Sequence, residues 1–372
     1  MNSNSATIKV ITRDNPIALS STLASIRNDV CKQDLDWKLV LIDDSMKSEN
    51  QNKNRRLLAK NFGKKGINFQ YFGHSEFERI LALVPEENRT EMQRLIGFLS
   101  ASGYRPSRPK NISQLMQTDS SCELLIDDDV LIGSKTTSFS IIQHAVHDAY
   151  KTNSLVSSQI NGFPDISSLQ LLERSIVPLG SELHFWNGDK SQFSLSGGFL
   201  VYPNKQLLPA FPDLYNEDFI WTAFSSAILK MGLRKLSLNI IHSPRRKKRL
   251  SCWKLKYEAI GEIAYEALCK SNVKMLVKRG FFPSEKAISG SLSEYTEYAQ
   301  YILDLLAKNI NNNFISSRYL DRIQVNVCSR ILGRHLSYLN SISTETIKDA
   351  FVKWAETQLR WNEIRSECLK IC

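Results

Sequence analysis

The chain has 372 residues, 42% of them apolar and 23% charged, a balance that supplies a packed core and excludes a disordered or fibrous chain. Its length suits two domains, or one large domain with an appendage. The net charge of +10 points to an anionic partner, whether a nucleotide, a phosphorylated substrate, nucleic acid or a membrane surface, without choosing among them. Seven cysteines are scattered with no Cys-x-x-Cys pair, so neither a zinc site nor a disulfide framework is expected, and a reducing cytoplasm fits. The start, MNSNSATIKVI, lacks the basic and apolar regions of a signal peptide. No apolar run reaches the roughly 18 residues that a membrane helix needs. A cytoplasmic protein is expected, with any membrane contact peripheral.

In chain order, residues 7–11 read as a strand, followed by a polar turn, TRDNP. A helix is expected over roughly residues 17–28, with Leu19, Leu23 and Ile26 on one face. The run WKLVLI, residues 37–42, is continuously apolar, as in a parallel strand covered on both faces, and it ends at Asp43 and Asp44. A polar helix and a third strand, INFQYF at 67–72, extend an alternation that predicts an open, mostly parallel α/β sheet. Residues 76–100 read as one or two helices around Pro85, and residues 111–118 as a short helix. FSLSGGFLVY at 193–202 is strand-like, 219–229 helical, and LSLNIIH at 236–242 a last strand. Beyond residue 250 four helical stretches are expected, near 252–279, 291–309, 316–339 and 343–370. Ser291 and Glu294 have the spacing of a capping box, and Ile347, Phe351 and Trp354 share a helical face. The expected division is residues 1–250, with a helical insertion at about 74–104, and a helical domain over 251–372.

The stretch CELLIDDDVLI, residues 122–132, places Asp127, Asp128 and Asp129 after an apolar strand. Strand alternation would send Asp127 and Asp129 to one side and Asp128 to the other. In open α/β sheets the carboxyl edge is where ligands bind. Carboxylates converging there repel unless a cation lies between them. Mg²⁺ and Mn²⁺ take oxygen ligands and share them with substrate phosphates, so the triplet reads as a metal–diphosphate site. The competing reading is a solvated acidic turn.

Four landmarks, IKVITRDNP, LVLIDDS, LLIDDDV and YNEDFIW, fall in the order found in the GT-A glycosyltransferases, and the chain resembles their family 2-like group over about residues 6–250. The resemblance implies a GT-A-type, Rossmann-like open mixed sheet flanked by helices, with an α-helical C-terminal domain appended. It implies a nucleotide-diphosphate sugar donor, UDP-linked by preference, an acceptor hydroxyl, and Mn²⁺ or Mg²⁺. Carried over residue by residue, Thr12 and Arg13 belong to the first nucleotide-binding loop, and Asp43 or Asp44 contacts the nucleoside. Asp127 takes a ribose or metal role, Asp128 lies with it in the donor site, and Asp129 holds the metal and diphosphate. The pair Glu217 and Asp218 supplies the catalytic base of an inverting reaction, with Asp218 as the base and Trp221 beside it near the sugar or acceptor. Simple N-capping of a helix explains that acidic pair equally well. Gly197 and Gly198 would let backbone approach a sugar, or mark a strand bulge.

His242 ends the last strand, where the resemblance implies a third metal ligand, although a strand-end histidine is often structural. PRRKKR, residues 244–249, reads as a loop over the donor diphosphate through Arg245 and Arg246, or as a patch for anionic lipid or nucleic acid. The chain departs from the family at SGYRPSRPKN, where Arg108 and Asn111 stand for an Arg-Asn pair split by Pro109 and Lys110. Two alternatives remain open. A sugar-nucleotidyltransferase would carry a glycine-rich loop after the first strand, and TRDNPIALS has no glycine. A non-catalytic module on the same fold would bind polyanions with steep salt dependence. The acceptor could be glycan, lipid, peptide or nucleic acid, and the C-terminal helices could mediate self-association.

Overall fold

The structure, a computed structural model, describes residues 5–31, 36–63, 67–83, 86–87, 89–90, 107–116, 118–133, 139–162, 167–177, 195–204, 208–243, 250–272, 276, 280, 282–311 and 322–371. An eight-stranded mixed sheet organises the first two-thirds of the chain. Its strands are β1 (Ser5–Thr12), β2 (Asp36–Asp43), β3 (Phe69–Phe72), β4 (Cys122–Asp127), β5 (Val130–Ile132), β6 (Ser154–Gly162), β7 (Phe199–Pro203) and β8 (Gly232–His242). Across the sheet the order is β3-β2-β1-β4-β7-β6-β8-β5. The first four are parallel, β7 runs antiparallel to both β4 and β6, β8 is parallel to β6, and β5 is antiparallel to β8.

Helices cover both faces: α1 (Pro16–Val30), α2 (Ser48–Phe62), α3 (His74–Leu83), α4 (Ser107–Leu115), α5 (Ile141–Thr152), α6 (Ser168–Ile176) and α7 (Glu217–Leu229). This is why WKLVLI is continuously apolar. Leu39 and Leu41 enter one core with Leu19, Leu23 and Ile26 of α1, while Val40 and Ile42 enter the opposite core with Ile112 of α4 and Trp221 of α7. Central β1 also carries Lys9, fully buried. Its ammonium lies 2.7 Å from Glu123 on β4 and donates to the carbonyls of Ser113 and Met116 at the carboxyl end of α4, where a cation suits the helix dipole.

The register brings strand ends level. Thr12 pairs with Asp43 and Ile11 with Asp127, so β1, β2 and β4 finish at one edge. Antiparallel β7 starts there, with Phe199 opposite Ile126, and β8 finishes there, with His242 opposite Val130. Asp128 and Asp129 are not strand residues as the alternation argument assumed. They form the turn between β4 and β5, which pairs on the far side of the sheet with β8.

The helical C-terminal segment comprises α8 (Cys252–Cys269), α9 (Glu285–Asn311), α10 (Arg322–Leu339) and α11 (Thr344–Ile371). Among the described residues its core extends into the sheet domain. Leu169 and Leu172 of α6 and Ile220 and Ala223 of α7 share one apolar cluster with Leu255, Ile263, Ile302, Leu332 and Phe351. Three sequence expectations are corrected. The helix beginning near residue 252 ends at Cys269. Ser291 is a fully buried mid-helix residue of α9, which starts six residues earlier at Glu285, so it caps nothing. Among the described residues of 193–202, strand begins only at Phe199, because Gly197 and Gly198 form a turn. Beyond residue 83 the expected helical insertion falls almost wholly outside the described residues. No helix among the described residues is long and apolar enough to cross a membrane.

One close approach locks the helical segment to the sheet domain. A Cβ on Gly261 of α8 would lie 2.2 Å from the carbonyl oxygen of Tyr215, just ahead of α7. Gly261→Ala is expected to destabilise the protein by roughly 1–3 kcal/mol, the usual cost of forcing extra volume into a packed contact. Urea unfolding measures this, and an unchanged midpoint would mean that α8 is not seated on that backbone.

Candidate active site

A cavity of about 440 Å³ opens at the carboxyl edge of the sheet. Arg13 and Asn15 line it after β1, Asp127 at the end of β4 with Asp128 and Asp129 in the turn that follows, Gly198 before β7, and His242 at the end of β8. Lys110 of α4, Glu217 and Asp218 of α7, and Trp253, Lys254, Tyr257 and Glu258 of α8 complete the wall.

The three aspartates have different jobs. Asp128 is an anchor for the β1–α1 loop. Its Oδ2 accepts from the Thr12 hydroxyl at 2.5 Å and the Arg13 N–H at 3.3 Å, and its Oδ1 accepts from Asn15 at 3.3 Å. Burial pushes its carboxyl up to about 7; the Thr12 hydrogen bond opposes the rise, and the charges of Asp129 and Asp127 add to it. Asp127 donates its backbone N–H to the Gly198 carbonyl at 3.2 Å, which ties the end of β4 to the glycine turn. Asp129 Oδ2 lies 3.3 Å from His242 Nε2, and the Ser243 N–H donates to the Asp129 carbonyl at 2.8 Å.

Asp129 and His242 are thus adjacent across the β5–β8 ladder, one oxygen and one nitrogen donor facing the same cavity. Their contact is a hydrogen bond, or an ion pair if the imidazole is protonated. The donor set fits Mn²⁺, and Asp127 stands close by in the same wall. Among the described residues no group of three or more His, Cys, Asp or Glu side chains could hold a metal ion, so Asp127, Asp129 and His242 do not assemble the expected three-ligand set. Two protein donors leave the other positions to phosphate oxygens and water, the usual habit of Mg²⁺ and its relatives.

Elsewhere in the wall, Asn216 takes a left-handed conformation (φ 61°) that swings the chain into α7. Glu217 and Asp218 therefore occupy the first turn, where carboxylates suit the helix dipole, and both are buried. Asp218 Oδ2 accepts from the Gly197 N–H at 2.6 Å and Oδ1 from the Phe219 N–H at 3.0 Å. A Cβ on Gly197 would sit 2.7 Å from Asp218 Cβ and 2.8 Å from Lys110 Nζ. The missing Cβ of Gly197 makes room for Asp218 and Lys110. Glu217 Oε1 is 2.7 Å from Lys110 Nζ. Burial alone would lower Lys110, but Glu217, Asp127 and Asp218 outweigh it and hold the ammonium charged. Burial pushes Glu217 up, and Lys110 draws it back.

Several expected contacts lie elsewhere. Trp221 is fully buried, donates Nε1–H to the Pro209 carbonyl at 2.8 Å and stacks on Phe211 at 4.7 Å, so it belongs to the core and not to a sugar site. Asn111 is also buried. It accepts from the Phe211 N–H and donates to the Phe211 carbonyl, which makes it a pin for that loop and not a nucleotide ligand. Asp43 is enclosed and accepts from Ser45, Asn54 and Tyr71. Asp44 is nearly so, held by Arg13 at 3.0 Å with His74 at 3.7 Å, and it reaches the cavity only through Arg13. Arg108 is half-buried and does not line the cavity. Arg245 and Arg246 lie outside the described residues. Sequence reasoning missed Lys110 and the α8 wall. The signal was present in RPKN. Arg108 and Asn111, at i and i+3, share one helix face, and Lys110, two residues after Arg108, lies on the other side and lines the cavity.

No family model matches the chain, and no curated protein matches it by sequence. Solved structures do resemble it. A mannosyltransferase from Pyrobaculum calidifontis, in complex with GDP-Man and Mn²⁺, is 12% identical with a TM-score of 0.44, covering 94% of this chain and 86% of that one. Glucosyl-3-phosphoglycerate synthase from Mycobacterium tuberculosis, with Mn²⁺, UDP and phosphoglyceric acid, is 14% identical with a TM-score of 0.41, over 65% of this chain and 72% of that one. Residues 1–349 of S. aureus TarS are 13% identical with a TM-score of 0.41, over 96% and 90%. With TM-scores below 0.5, what those proteins bind belongs to them, and this chain's chemistry rests on its own residues.

Removing the lysine head group would leave Glu217 buried without its 2.7 Å partner. Lys110→Met is expected to cost about 3–5 kcal/mol of stability. The double variant Lys110→Met with Glu217→Gln is expected to recover much of that loss, a coupling that a denaturant double-mutant cycle measures directly.

Proposed function

We propose that the chain is a metal-dependent glycosyltransferase that moves a sugar from a nucleotide-diphosphate donor, UDP-linked by preference, to an acceptor hydroxyl with inversion. One observation carries the reading. The Asp127–Asp129–His242 group and the buried Asp218 line a single cavity at the carboxyl edge of the sheet. A divalent ion held by Asp129 and His242, with Asp127 beside it, would supply charge stabilisation for the departing diphosphate.

The chain's own groups account for the remaining tasks. Arg13, fixed by Asp44, offers a cation to the nucleotide side of the cavity. Asp218 is the proposed general base. Its carboxylate is held by two backbone N–H groups, so it is oriented before the acceptor arrives. It accepts the acceptor hydroxyl proton as that oxygen attacks the anomeric carbon opposite the leaving diphosphate. Lys110 neutralises Glu217, which keeps two adjacent buried carboxylates from repelling each other across the first turn of α7.

The loop after β1 contains no glycine, which disfavours nucleotidyl transfer. Thermal shift with UDP-, GDP-, dTDP- and CDP-sugars tests the donor site. One nucleotide sugar is expected to raise the melting temperature in Mn²⁺ but not in EDTA, and not in Asp129→Ala. No shift with any of them would turn the triplet into an acidic turn and favour a polyanion-binding module. Asp218→Asn is expected to abolish transfer, by about 10²-fold or more for loss of a general base. Its donor-induced shift should persist, and loss of both together would remove the base assignment.

A further inference from the structure

The outer wall of the cavity carries an aromatic pair to which the transfer chemistry assigns no role. Trp253, in the first turn of α8, is 45% exposed. Its indole is backed by Tyr257, with ring centroids 5.5 Å apart and planes 5° from parallel. Tyr257 in turn meets Tyr215 edge-on at 6.4 Å. Tyr215 leads through Asn216 into Glu217 and Asp218, and its carbonyl is the group against which Gly261 seats α8. A second tie fixes the same helix: Glu258 accepts from the N–H and hydroxyl of Ser168 on α6, at 2.9 and 3.0 Å. The aromatic pair is therefore rigidly placed relative to the proposed base, and both line one cavity.

Resting on the transferase reading, we propose that Trp253 and Tyr257 form the acceptor platform, and that the acceptor is a neutral carbohydrate. A pyranose ring has an apolar face of C–H bonds and a rim of hydroxyls. The open indole surface matches the face, and the surrounding Asn216, Asp218 and Lys254 match the rim. A lipid chain needs a continuous apolar groove, which these polar neighbours interrupt. A nucleic-acid acceptor would bring phosphates beside Asp218 and Glu258, which line the cavity with the aromatic pair.

The full chain is titrated with neutral trisaccharides of glucose, mannose, galactose and N-acetylglucosamine. Saturation-transfer NMR and tryptophan fluorescence follow binding, with and without Mn²⁺ and UDP or GDP. At least one trisaccharide is expected to bind saturably. Trp253→Ala should weaken it roughly tenfold or more, the scale of one lost aromatic contact, and Trp253→Phe less. Both variants should keep the nucleotide-sugar thermal shift of the parent. Absence of binding by every trisaccharide, equal binding by Trp253→Ala, or Trp253-dependent binding to phosphatidylglycerol vesicles in place of sugar would overturn the platform. A nucleotide-sugar shift without trisaccharide binding removes the platform alone. Trisaccharide binding without any nucleotide-sugar shift removes the transferase reading, and the acceptor role with it.

Discussion

Among the described residues six carboxylates, Asp127, Asp128, Asp129, Glu217, Asp218 and Glu258, line one cavity, and the rest of the structure is arranged to keep them there. Like charges gathered in a partly buried space repel strongly, so each needs its own compensation. Glu217 has Lys110, Asp218 has two backbone N–H groups, Asp128 has the β1–α1 loop, and Glu258 has the start of α6. Asp129 has His242 beside it, and the Lys110 ammonium acts on Asp127 as well as on Glu217.

The balance depends on groups remote in sequence. Lys110 reaches Glu217 because α4 is held at its carboxyl end and at its middle. Lys9, buried in β1, takes the carbonyls at its carboxyl end, and Asn111 grips the backbone of Phe211. The loop around Phe211 is itself clamped by the C-terminal helix. Trp361 donates to the Leu208 carbonyl at 3.0 Å, Trp354 to the Ala210 carbonyl at 3.1 Å, and Gln358 bonds both backbone groups of Ala210. The helical segment thus supports the site from beneath through α11 and walls it from outside through α8. A shared apolar core, with α6 and α7 inserted among the C-terminal helices, is what makes such support stiff.

Trp221 and Asn111 illustrate how motif position and side-chain direction part company. Both sit within a few residues of cavity groups, yet both point into the core that holds the 208–211 loop. On a helix a shift of one residue turns the side chain by about 100°, so neighbours of a site residue commonly serve its foundation. Lys110 is the converse case. In the linear string it only interrupted an Arg-Asn pair, and in the fold it is the cation on which Glu217 depends.

The sequence by itself determined the strand–helix alternation, the two-sided burial of β2, and the acids at strand ends. Those features are local: apolar runs, periodicity and the position of a charge relative to the end of a run are all written within about ten residues. It also placed Glu217 and Asp218 at a helix start. Only the tertiary structure decided which groups meet. The β4–β5 turn sends β5 across to β8, and so brings Asp129 to His242, 113 residues away. The antiparallel direction of β7 delivers Gly197 to Asp218, and the seat of α8 on Tyr215 adds Trp253 and Tyr257 to the wall. Each of these meetings is a long-range packing outcome, fixed by sheet order and by the close approach that a missing Cβ permits, and neither is encoded in any one stretch of residues.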